Sequence, residues 1–202
     1  MSLRGLFRHR ARAPEGPSLE EQVALLARAG LPLAPGVTRA DLLDFGPEES
    51  YRAEPWRLLL MTYAVRSEPE AAPRPFCDRA VLVDLSHAPG QGDHATLAAQ
   101  LAGIAGLGPR LRGAVEAETP GGRVLSYRLD GVPRQHRAEG RGPWLDDALI
   151  DAIAADLAPL MVPRALHALD NDLQRMFYAL TPAGAALIEA EAPGLLTPLP
   201  DR

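Results

Sequence analysis

The chain has 202 residues and a net charge of −5, with 47% apolar and 23% charged residues, which fits one globular domain, or one with a small appendage. It holds no lysine, and Cys77 is the single cysteine. Schiff-base chemistry, P-loop nucleotide binding and a lysine general base are thereby excluded, as are an internal disulfide and a multi-cysteine metal site.

The abundance of arginine, alanine, leucine and proline is accounted for by a GC-rich genome, whose codons disfavour lysine and asparagine. Charge is unevenly spread. Residues 1–14 carry Arg4, Arg8, Arg10 and Arg12 and no acid, which leaves −9 for the remainder. A body of that sign is a poor nucleic-acid binder and suits a basic protein partner better. The sequence has no run of 18 apolar residues and so predicts no transmembrane helix. With one cysteine and no apolar middle in Met1–Arg12, a reducing, cytoplasmic setting is expected. Residues 1–17 read as a disordered basic tail; Leu3, Leu6 and Phe7 offer only weak contact with a membrane surface.

Residues 18–66 read as a helical region. Ser18 and Glu21 form a capping box ahead of a helix over 19–29, closed by Gly30 and Pro32. Thr38 and Asp41 repeat the start signal for a short helix to about Asp44, and Gly46-Pro47 breaks it. Pro55 is placed at the first position of a helix carrying Trp56, Leu59, Leu60 and Tyr63 at helical spacing, with Thr62, Tyr63 and Val65 leaving a strand open. Residues 67–78, with Pro69, Pro73 and Pro75, read as a linker.

An α+β domain is expected over 79–192. Ala80–Leu85 is a strand apolar enough to be central. Asp93 then caps a helix to about Leu107. Arg112–Thr119 and Arg123–Asp130 form a hairpin around Pro120-Gly121-Gly122. In its second arm Val124, Ser126 and Arg128 alternate with Leu125, Tyr127 and Leu129. Pro133–Gly142 reads as a polar loop, and Pro143–Leu160 as a helix with acids in its first turn. Strands near Arg164–Leu169 and Leu173–Leu180 flank a turn at Asp170-Asn171-Asp172. Thr181-Pro182 opens a last helix, and residues 193–202 form a proline-rich tail. The order β-α-β-β-α-β predicts a ferredoxin-like, split βαβ fold: a mainly antiparallel sheet with an added hairpin strand.

The most concentrated polar segment is Asp84–His94. Asp84, His87, Asp93 and His94 offer two imidazoles and two carboxylates just past a strand end, a set that could hold a metal. The plainer reading is a strand-to-helix loop with Asp93 as an N-cap. Gly90-Gln91-Gly92 is a weak anion cradle lacking the rest of a nucleotide fingerprint. Cys77 reads as an apolar filler, with a thiolate pair to His87 or His94 as the alternative. Asp146, Asp147 and Asp151, with Trp144 at the helix start, offer an acidic face with an aromatic anchor for a basic partner, or simply a solvated helix face. No catalytic motif and no cofactor is indicated.

Asp84 ending a strand, Gly92-Asp93-His94 opening a helix, Asp130-Gly131 closing the hairpin and Trp144-Leu145-Asp146 opening the next helix form one layout. With Pro55-Trp56 and Leu59-Leu60 ahead of it, this layout resembles uncharacterised bacterial proteins regarded as immunity proteins for secreted toxins. The resemblance implies a small cytosolic protein-binding module without catalytic residues.

Overall fold

The computed structural model describes residues 16–67, 74–85, 93–138, 145–172 and 174–199. The chain is mixed α+β, with seven α-helices among these residues. The helices are α1 (Leu19–Arg28), α2 (Arg39–Phe45), α3 (Glu48–Ala53), α4 (Arg57–Ala64), α5 (Asp93–Ile104), α6 (Asp147–Met161) and α7 (Pro182–Glu191). The strands are β1 (Arg66–Ser67), β2 (Arg74–Pro75), β3 (Ala80–Asp84), β4 (Leu111–Thr119), β5 (Gly122–Leu129), β6 (Val132–Arg137), β7 (Ala165–Asn171), β8 (Gln174–Leu180) and β9 (Thr197–Leu199). None of the described helices is long and apolar enough to cross a membrane.

Local chemistry places the N-terminal helices as expected. Ser18 and Glu21 close the capping box of α1, the Ser18 amide donating to Glu21 Oε2 at 2.8 Å. Asp41 Oδ2 accepts from both the amide and the hydroxyl of Thr38 at the start of α2. Residues 57–64 are helical, which settles the helix-or-strand ambiguity there. Pro55 does not open that helix, however. Trp56 sits at φ 66°, in the left-handed region, so the helix starts only at Arg57. That backbone conformation costs a bulky residue about 1–2 kcal/mol. Two contacts hold it: the buried Trp56 ring, and the Trp56 amide donating to Gln22 Oε1 at 3.0 Å. Helix α3 was not expected; it follows Pro47, which the sequence presents only as a breaker.

A β3-α-β-β order predicts one split βαβ sheet. The pairings instead divide the longer strands between two sheets. One runs β3-β8-β7-β9 and the other β4-β5-β6, both antiparallel. Strand β3 takes β8 as its neighbour, pairing Val81 with Phe177, and does not join the hairpin. Part of the expected linker is also ordered, with β1 and β2 forming a short ladder.

The four-stranded sheet is buried on both sides. Val81, Val83, Phe177, Ala179, Leu166 and Ala168 face a core shared with α5, α6 and the inner side of β4-β5-β6. Ala80, Met176, Tyr178, Leu180 and Leu169 face a second core made with α1–α4 and α7. Residues 176–180 of β8 are therefore buried without a break, as a central strand covered on both faces requires. Full burial of Met176, Phe177 or Leu180 contributes about 1.5–3 kcal/mol apiece. The Tyr178 hydroxyl, inside the second core, donates to the Leu60 carbonyl at 2.9 Å. The N-terminal helices and the sheet thus complete one another. The segment after Pro193 is not loose throughout, since β9 pairs with β7 and Leu199 packs against the first core.

Residues 133–137 are not loop. They belong to β6, which pairs with β5 through a two-residue turn at Asp130 (φ 54°) and Gly131 (φ 80°). Positive φ at both positions is the geometry that matches a hairpin's twist, and Asp-Gly is a favoured pair for it. On β4, Gly113 (φ 61°) forms a bulge between Arg112 and Val115. It lets Leu111 and Ala114 both turn to the core.

Candidate functional site

The residues that sequence spacing suggested as one site fall at the end of β3, at the start of α5 and in the chain segment between them. Asp84 ends β3, and Asp93 and His94 open α5; His87 and Gly90-Gln91-Gly92 lie outside the described residues. His94 is fully buried. Its Nδ1 lies 2.8 Å from Glu116 Oε1 on β4, and its Nε2 accepts the Asp146 amide at 3.4 Å. With Nε2 an acceptor, the ring proton sits on Nδ1 and is donated to Glu116. The same carboxylate takes the His94 amide at 3.2 Å and lies 3.5 Å from Arg123 Nη1. Both imidazole nitrogens are thus used in joining α5, β4 and the start of α6. Among the described residues, no group of three or more His, Cys, Asp or Glu side chains is gathered to hold a metal.

Asp146 is the N-cap of α6, its carboxylate accepting the amides of Ala148 (2.9 Å) and Leu149 (3.4 Å). Asp147 is well exposed, yet its Oδ1 lies 2.8 Å from Arg175, which also binds Asp170. Asp151 is half-buried one turn on, and Trp144 lies outside the described residues. Cys77 is fully buried, and burial pushes its thiol up to about 11, which keeps it protonated near neutrality. This agrees with a packing role.

Two features lay outside the sequence reading. The first is a polar cluster where the inner side of β5-β6 meets α6. Asp156 Oδ2 accepts the Tyr127 hydroxyl at 2.7 Å and lies 2.7 Å from His136 Nε2, while Asp156 Oδ1 lies 3.4 Å from Arg134. Burial, then the bond to Asp156, raises the Tyr127 phenol far above its ordinary range. The cluster fastens the edge strand β6 to α6, with two rings stacked at a tilt and 5.8 Å between their centres.

The second is the outer side of β4-β5-β6. Alternation turns Arg112, Val115 and Ala117 of β4 outward, with Val124, Ser126 and Arg128 of β5 and Pro133, Gln135 and Arg137 of β6; of these Val124 is buried, at 9% exposed. Val115 is 58% exposed. A hollow of about 380 Å³ lies over Gly113, between Ser126, Arg128, Pro133 and Gln135. A second hollow, of about 580 Å³, runs between α5 and the start of β3, lined by Cys77, Asp78, Thr96 and Gln100.

Together these define an α+β protein with one sheet covered on both sides and one whose outer side, among the described residues, keeps Val115, Arg112, Arg128 and Arg137 exposed. Compared with protein families, curated proteins and solved structures, the chain matches none.

Proposed function

We propose that the chain is a binding module that receives a protein partner on the open side of β4-β5-β6. The observation that carries this reading is the exposure of Val115, at 58%, on the sheet face that also bears Arg112, Arg128 and Arg137. An exposed apolar side chain on a face that carries arginine is a composition that protein-binding surfaces favour. The resemblance noted in the sequence supports a cytosolic, immunity-type protein as the member of this class to test first. The acids of α6 lend less support to a basic partner, because Asp147 is already paired with Arg175 and Asp146 is taken up as the N-cap. A metal-binding or hydrolytic site at Asp84, Asp93 and His94 would require His94 to release Glu116 or the Asp146 amide.

Affinity capture from the native host at low salt, with the wild-type chain and Val115→Asp in parallel, tests the proposal. The expected result is one stoichiometric protein retained by the wild type and lost with the variant. Retention of nothing, or equal retention by both, overturns it.

A further inference from the structure

We infer that the segment taken on this open face is an acidic stretch of the partner protein; the inference rests on the face being the binding surface. Between residues 110 and 137 the chain carries six arginines. Three of them meet carboxylates: Arg110 meets Asp130, Arg123 meets Glu116 and Arg134 meets Asp156. The other three point outward and, among the described residues, meet only main-chain carbonyls. Arg112 reaches Gly108 and Leu111, Arg128 reaches Gly131, and Arg137 reaches Gly121. No outward position on β4, β5 or β6 carries an acid. A chain of net charge −5 has therefore gathered uncompensated positive charge on one sheet face.

The register sharpens the point. Arg112 lies directly opposite Arg128. Like charges facing each other across a strand pair weaken the pair, and an anionic group between them removes the penalty. Guanidinium forks take carboxylates bidentately, so an Asp or Glu side chain is a matching anion. Nucleic acid is the other polyanion to weigh. It fits less well, because none of the outward side chains is aromatic and none can stack a base. An acidic peptide brings lower charge density and can cover Val115 with its own apolar side chains.

The test is fluorescence anisotropy of a short labelled poly-glutamate peptide against the full chain at low salt, with a single-stranded DNA oligonucleotide in parallel. Saturable peptide binding is expected, weakening as salt is raised. Arg112→Glu is expected to reduce it by about tenfold or more. The same variant replaces a repelling pair by an Arg128–Glu pair, so its melting midpoint should hold or rise, which separates lost binding from lost folding. No peptide binding, binding unchanged in Arg112→Glu, or preference for DNA over the peptide overturns the inference. If the peptide fails while Val115→Asp still abolishes capture of the host partner, the surface stands and its acidic ligand class falls.

Discussion

His94 Nδ1 and Glu116 Oε1 lie 2.8 Å apart with their side chains 0% and 1% exposed. The pair ties the first turn of α5 to the middle of β4, and through the Asp146 amide to the start of α6. Removing one member leaves the other buried without its partner. Glu116→Ala is therefore expected to destabilise the chain by about 3–5 kcal/mol, and Glu116→Gln, which keeps an acceptor, by clearly less. Urea denaturation of the two variants checks the order; equal losses would assign the effect to packing alone.

Gln22 is a second buried polar group, and it is used at both ends. Its Nε2 donates to the carbonyls of Pro17 and Tyr51, each at 2.9 Å, and its Oε1 accepts the Trp56 amide. Gln22→Met keeps the volume but leaves three main-chain groups unpaired. A loss of about 2–4 kcal/mol in thermal or urea unfolding is expected, given roughly 1–3 kcal/mol for each unsatisfied buried group and partial relaxation.

Tyr63 predicts the opposite outcome. Its hydroxyl is buried and, among the described residues, has no hydrogen-bond partner. Tyr63→Phe deletes an unsatisfied polar atom and leaves the ring in place, so stability should hold or rise by up to about 1 kcal/mol. A drop of more than that in a urea titration would mean that the hydroxyl is satisfied in solution, for instance by water.

Cys77 sets an alkaline limit. Burial moves its thiol from an ordinary value near 9 up to about 11. A pKa raised in the folded state means the unfolded chain releases this proton first as pH rises. The stabilising contribution is complete below about pH 9 and is lost between about pH 9 and 11. Burial raises the Tyr63 and Tyr178 phenols as well, in the same direction at higher pH. Cys77→Ala should flatten the fall in melting temperature across that window, and the wild-type thiol should resist alkylation at pH 7.5 until the chain is unfolded.

The elements were legible where local chemistry decides them: the capping boxes at Ser18 and Thr38, the hairpin around Pro120-Gly121, the two strands flanking the turn that begins at Asp170 and the Thr181 cap. Strand β6 was not, although Asp130-Gly131 signalled its turn. Its inward residues Arg134 and His136 are polar and meet Asp156 rather than an apolar core, so the alternation that marks a strand is missing. Sheet membership was illegible because element order does not say which strands pair. Of the candidate site, Asp84, Asp93 and His94 fell where the spacing put them on strand and helix, but His94 found its partner on β4, 22 positions away. The open face needed the register, since only pairing shows that Arg112 and Arg128 meet and that their neighbours carry no acid.

The pairing of β3 with β8 brings residue 84 against residue 174, with α5, the whole of β4-β5-β6, α6 and β7 lying between them in the chain. The central sheet therefore cannot close until a long excursion has been gathered in. Contacts of such sequence separation slow folding, because the entropy of closing the loop is lost before the contact is gained. The β4-β5-β6 meander is entirely local and can form early. Refolding should accordingly show the meander's amides protected from exchange ahead of those of β3 and β8, and newly made chain should reach its native state only after β8 has emerged.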